Sequence, residues 1–167
     1  MTTRRRLILA AAAVTAMLGS GAGLIAFSTA DDVAFGQTLT NTLLSDGKVA
    51  IRGYDPVAYH TEGRPVEGDP AYTLEYKGAT WRFASAENRD LFKADPEKYE
   101  PAYGGYCAYG AGNGYLVKIE PEAFTIADGR LYLNYDLEVS KLFNQDLSGR
   151  IALAEKNWPG LKAKLRP

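Results

Sequence analysis

Residues 72–83 alternate apolar and polar side chains on both sides of Lys77-Gly78, and Ser85 follows at once with a helix-start pattern. A period of two places Tyr72, Leu74 and Tyr76 on one face of a first strand. It places Ala79, Trp81 and Phe83 on one face of a second. The residues therefore predict a tight hairpin with an aromatic face that has to be buried. Ser85 is positioned to cap a helix in which Leu91 and Phe92 face inward, and Asp95-Pro96 is expected to end it. A second hairpin is predicted where Phe124–Ala127 and Leu131–Asn134 flank Asp128-Gly129, because Asp-Gly readily adopts the left-handed angles of a type I′ turn. No internal repeat or low-complexity segment is apparent.

The remaining segments fill in an α+β fold: a small antiparallel sheet from two β-hairpins, with helices packed on one side. Lys48 to Ile51 reads as a short strand closed by Gly53. Asp55-Pro56-Val57-Ala58-Tyr59 reads as a helix start, with Asp as N-cap and Pro at the first helical position. Gly63 to Pro70 reads as a loop. Two helical segments close the chain, one with a stripe of Leu137, Leu142 and Phe143. The other carries Ile151, Leu153, Ala154 and Trp158 and is expected to stop at Pro159-Gly160. The glycines at 104, 105, 110, 112 and 114 have neither a P-loop lysine nor dinucleotide-binding spacing.

The N-terminus reads as an export signal. Thr3-Arg4-Arg5-Arg6-Leu7-Ile8 fits the twin-arginine pattern, an apolar Ala/Gly-rich run follows to Phe27, and Ser28-Thr29-Ala30 supplies the small residues of a cleavage site. The expected organisation is a signal peptide at 1–30, a lead-in segment at 31–46 and one α+β domain at 47–167, in the periplasm. Retention of Leu7–Phe27 as a membrane anchor is the alternative, since the run is long enough to span a bilayer. The formal charge of the whole chain is −1, and loss of Arg4, Arg5 and Arg6 takes it to −4. Such a balance gives no electrostatic case for nucleic-acid binding.

Chemistry rests on few residues. Cys107, the only cysteine, sits in Tyr103-Gly104-Gly105-Tyr106-Cys107-Ala108-Tyr109-Gly110. It reads as a small buried hydrophobe, as a thiolate ligand suited to copper(I) or zinc, or as a reactive thiol with no basic neighbour to activate it. His60, the only histidine, reads either as a helix-end surface residue or as a second metal ligand. Tyr103, Tyr106 and Tyr109 read as core aromatics or as the wall of a ligand or cofactor pocket around the thiol. No catalytic residue is assigned. One histidine cannot build a zinc hydrolase site, and neither a carboxylate pair nor a Ser-His-Asp set has a supporting context.

The run from Asp55-Pro56-Val57 through Tyr76, Gly78, Trp81, Phe83, Ser85, Phe92, Pro96 and Tyr99 resembles the YHS-domain family, a small module associated with metal handling. That family usually places cysteines in a D-P-V-C-G turn, in Y-F-C-S and about one helical turn later. Here those places hold Ala58, Ala84 and Asn88. Together with the export signal, the resemblance implies an exported, non-enzymatic binding module for copper or another soft metal, with Cys107 and His60 left as candidate ligands. The alternative is a structural or protein-interaction domain on a YHS-like scaffold that has lost its metal ligands. A thiol-dependent enzyme is the third reading. The partner is then a metal ion or small ligand, or a protein that the sequence does not name.

Overall fold

The computed structural model describes residues 39–45 and 47–165. The export signal and most of the lead-in fall outside the described residues. Among the described residues the first element is a 3₁₀ turn at Ala50–Gly53, followed by α1 (Pro56–Thr61), β1 (Asp69–Tyr76), β2 (Ala79–Phe83), α2 (Ala86–Ala94) and α3 (Pro96–Tyr99). A second 3₁₀ turn at Ala102–Gly105 leads to α4 (Ala108–Gly112), β3 (Glu120–Ala127), β4 (Arg130–Asn134), α5 (Leu137–Gln145) and α6 (Leu147–Lys162). The class is α+β, as the residue pattern predicts.

The hairpins do not merge into the single sheet expected from sequence. They form two separate two-stranded antiparallel sheets, β1-β2 and β3-β4. Each is covered by its own helix: Phe92 of α2 packs on Trp81 and Phe83, and Phe143 of α5 packs on Tyr132. Burial of each aromatic face is satisfied locally, so nothing drives strand pairing between hairpins. Three smaller corrections have similar causes. Val49 makes only one parallel bridge, to Thr80, before the chain coils into the first 3₁₀ turn in place of a strand. Leu91 faces solvent while its neighbour Phe92 is fully buried, because α2 offers one narrow stripe. Helix α6 runs through Pro159-Gly160 to Lys162, since Trp158 and Leu161 on either side still pack against the core.

The second half repeats the first, contrary to the sequence reading. A 3₁₀ turn, a helix, two strands and two helices occur twice in the same order. The pairings Asp69↔Phe83, Thr73↔Arg82 and Tyr76↔Ala79 recur 51 residues later as Glu120↔Asn134, Phe124↔Leu133 and Ala127↔Arg130, with the same register shift in the same place. Both hairpin turns are left-handed, at Lys77-Gly78 and Asp128-Gly129. Both 3₁₀ turns carry three consecutive left-handed residues: Ile51, Arg52 and Gly53 at φ of 40°, 59° and 82°, then Tyr103, Gly104 and Gly105 at 55°, 63° and 81°. Side-chain caps recur too, with Ser85 and Asp95 opening α2 and α3, and Asp136 and Asp146 opening α5 and α6.

The halves differ where a helix is added. In the second, the small residues of α4 admit the long α6, and Gly112 lies against Arg150, Leu153 and Ala154. In the first, Tyr59 and His60 fill the corresponding places on α1, and the short α3 replaces a long helix. The end of the lead-in is built into the fold as well. Asn41 donates its backbone N–H to Gly104 O (2.8 Å), accepts from Ile51 N (2.9 Å) and donates Nδ2 to Gly105 O (2.9 Å), tying the two 3₁₀ turns together.

Candidate functional site

Asp55 begins as a helix cap. Its Oδ1 accepts from the backbone N–H of Val57 (2.8 Å) and Ala58 (3.3 Å), which Pro56 helps by presetting the first helical turn. The other oxygen reaches across to the hairpin. Oδ2 accepts from Ala84 N (2.8 Å), where β2 hands over to α2, and from Asn88 Nδ2 (2.7 Å), one turn into α2. Asp55 is wholly buried. Position 58 lies some 26 residues before 84 and 88, yet the backbone N–H groups of 58 and 84 and the side chain of 88 meet around one carboxyl group. A carboxylate offers about four acceptor sites, and here four donors take them.

Cys107 stands at the same point of the second half, 52 residues on, as the cap of α4. Its Sγ accepts from Gly110 N (3.3 Å) and lies 4.0 Å from Asn134 Oδ1, which also accepts from Tyr109 N (3.2 Å). The thiol has no exposed surface. Burial pushes its pKa up to about 11, against a smaller downward pull from the backbone N–H groups of Gly110, Tyr135 and Tyr109. Asn134 belongs to the candidate site and was missed by sequence reasoning: a buried carboxamide whose Nδ2 has no hydrogen-bond partner. Its signal was a polar residue closing the apolar run Leu131-Tyr132-Leu133.

His60 lies elsewhere. It ends α1, half-buried, with its ring edge-on to Tyr99 at 5.6 Å, and its Nε2 is buried without a partner. Burial, and then the charge of Lys98, hold its pKa below the ordinary imidazole value. The neighbours that bear on His60 are Tyr99 and Lys98, while those on Cys107 are Gly110, Asn134, Tyr109 and Tyr135, so the two candidate ligands share no surroundings. Among the described residues no three of His, Cys, Asp or Glu are grouped to hold a metal ion.

The three tyrosines are buried and face different partners. Tyr103 donates to Glu155 Oε1 (3.2 Å) and packs on Tyr132 and Trp158. The Arg150 guanidinium lies 4.5 Å from the Tyr109 ring. Tyr106 is fully buried, and that burial raises its phenol pKa. A shallow groove on the second half is lined by Glu120, Glu122, Asp136, Leu137 and Glu138, none of them among the residues singled out from sequence.

The family model of the YHS domain matches residues 57–103, from the second residue of α1 through the first hairpin, α2 and α3 into the second 3₁₀ turn. No curated protein and no solved structure matches the chain.

Proposed function

We propose that this chain, whose residues 57–103 form a YHS domain, is an exported, non-enzymatic protein-interaction module built on a scaffold plugged by its own side chains. One observation carries the reading: the carboxyl of Asp55 is saturated by Val57, Ala58, Ala84 and Asn88. The metal that the family resemblance implies does not fit this donor set. Positions 58 and 84 offer methyl groups and backbone N–H donors, and position 88 offers an amide that already donates to Asp55. None is a thiolate, and a soft cation gains little from such a shell. Surface recognition then remains as the work of the domain. The test is a titration of residues 31–167 with copper(I) and with zinc(II), followed by metal analysis after desalting. The reading expects no stoichiometric retention, and one equivalent held per chain would overturn it.

A second reading keeps a soft metal, bound by Cys107 or His60, with Tyr103, Tyr106 and Tyr109 around the thiol. It is favoured by one orphaned ring nitrogen, His60 Nε2, which is buried without a hydrogen-bond partner. It requires that copper(I) bind at one equivalent and that Cys107→Ser abolish the binding, because a hydroxyl is a poor ligand for copper(I).

A further inference from the structure

We infer that residues 102–162 are a second, diverged copy of the unit at residues 50–99, most of which the YHS family model covers, and that Cys107 takes in it the place that Asp55 takes in the first. Element order, strand register with its shift, turn handedness and caps all recur at a spacing of 51 or 52 residues. Independent evolution of one unit would not repeat a register shift at the same rung together with three consecutive left-handed residues, which cost energy outside glycine. A trace survives in the residues: Gly53-Tyr54 and Gly105-Tyr106, Gly78 and Gly129, Leu91-Phe92 and Leu142-Phe143, Asp95 and Asp146.

The caps correspond in part: the counterpart of Val57, Tyr109, donates its N–H to Asn134 Oδ1 rather than to the cap. Asp55 Oδ1 accepts from Ala58 N, and Cys107 Sγ accepts from Gly110 N, the matching position. Asp55 Oδ2 accepts from Ala84 N, and the backbone N–H of Tyr135, 51 residues on from Ala84, is directed at the thiol. The donor from α2, Asn88, has Val139 as its counterpart on α5, and Val139 is buried. The second copy therefore lacks both halves of the Asp55–Asn88 hydrogen bond and keeps a neutral thiol where the first keeps a carboxyl. This inference stands whether or not the domain is an interaction module.

A double-mutant cycle tests it: Cys107→Asp, Val139→Asn and the pair together, in residues 31–167, read as thermal midpoints. Val139→Asn buries an amide without its acceptor, and Cys107→Asp buries a carboxyl that lacks the donor Asn88 supplies to Asp55, so each single change is expected to lower the midpoint. The pair is expected to regain most of the summed loss, because the new amide donates to the new carboxylate. A double variant as unstable as the sum of the singles would overturn the equivalence. Should the variants not fold, amide hydrogen exchange on the unmodified protein decides. The Ala84 and Tyr135 N–H groups are expected to be protected to a similar degree, and exchange at Tyr135 at an open-loop rate would refute the placement.

Discussion

Replacing Asp55 by Asn isolates the plug with almost no change of shape. Oδ1 and Oδ2 each accept from two donors, Val57 and Ala58 on one side, Ala84 and Asn88 on the other. A carboxamide can present its oxygen to only one side, so its NH₂ meets two donors whichever way it turns. Two buried N–H groups then lose their acceptor, at about 1–3 kcal/mol each. The expected loss is about 2–6 kcal/mol, comparable with the whole stability of a small domain, about 5–15 kcal/mol. Asn88→Ala removes one donor from a half-exposed side chain while Ala84 N stays in place, so about 1.5 kcal/mol is expected. Urea unfolding followed by fluorescence gives both values by linear extrapolation. The order Asp55→Asn well above Asn88→Ala has to hold, and it has to hold equally with and without chelator. A loss below about 1 kcal/mol for Asp55→Asn would refute the reasoning, because the carboxyl would then not be what holds α1 to the hairpin.

Further outcomes are expected at Cys107, at Gly104 and at the N-terminal arginines. Native Cys107 should resist thiol reagents until the protein unfolds, and Cys107→Ala should cost about 1 kcal/mol through a small cavity. Because its folded pKa of about 11 lies above the ordinary 9.0, the thiol contributes stability below pH 9.0 that is lost as pH rises through 11, and denaturation series across that range check the sign. Gly104→Ala should destabilise by about 2 kcal/mol or more, measured as a shift of the unfolding midpoint. The backbone there is left-handed at φ +63°, and an added Cβ would lie 2.0 Å from Leu39 O in the segment that joins the two 3₁₀ turns. Arg4→Lys with Arg5→Lys should strand the precursor in the cytoplasm, and fractionation showing normal export would contradict the twin-arginine assignment.

The parts of the fold written in local chemistry were legible. Lys77-Gly78 and Asp128-Gly129 mark the two hairpins, and Asp55 and Ser85 mark helix starts, because turns and caps depend on neighbours within a few residues. What depends on distant partners was not legible. Whether two hairpins share a sheet is decided by what covers their faces, and Ile51 is a β-branched residue held at φ 40° by contacts to Asn41 that no local pattern announces. The duplication was hidden for the same reason. Core positions kept their burial but changed identity, as with Trp81 and Tyr132, while Phe83 became the buried amide Asn134 and Tyr59 became Ala111 once α6 arrived. At the site, sequence located Cys107 and His60 but not their separation, and it marked Asp55 as a cap without showing that Ala84 and Asn88 converge on it.

That convergence is the centre of the account, and rebuilding the missing thiols tests it most directly. A variant with Ala58→Cys, Ala84→Cys and Asn88→Cys is titrated with cobalt(II) and zinc(II) beside the unmodified protein, with thiolate-to-cobalt charge-transfer absorption as the readout. The account predicts about one metal per chain for the triple variant, since all three positions surround Asp55 and thiolates suit these ions. It predicts no such absorption for the unmodified chain. A triple variant that binds no metal would contradict the convergence, and an unmodified chain that binds as well as the variant would contradict the plug.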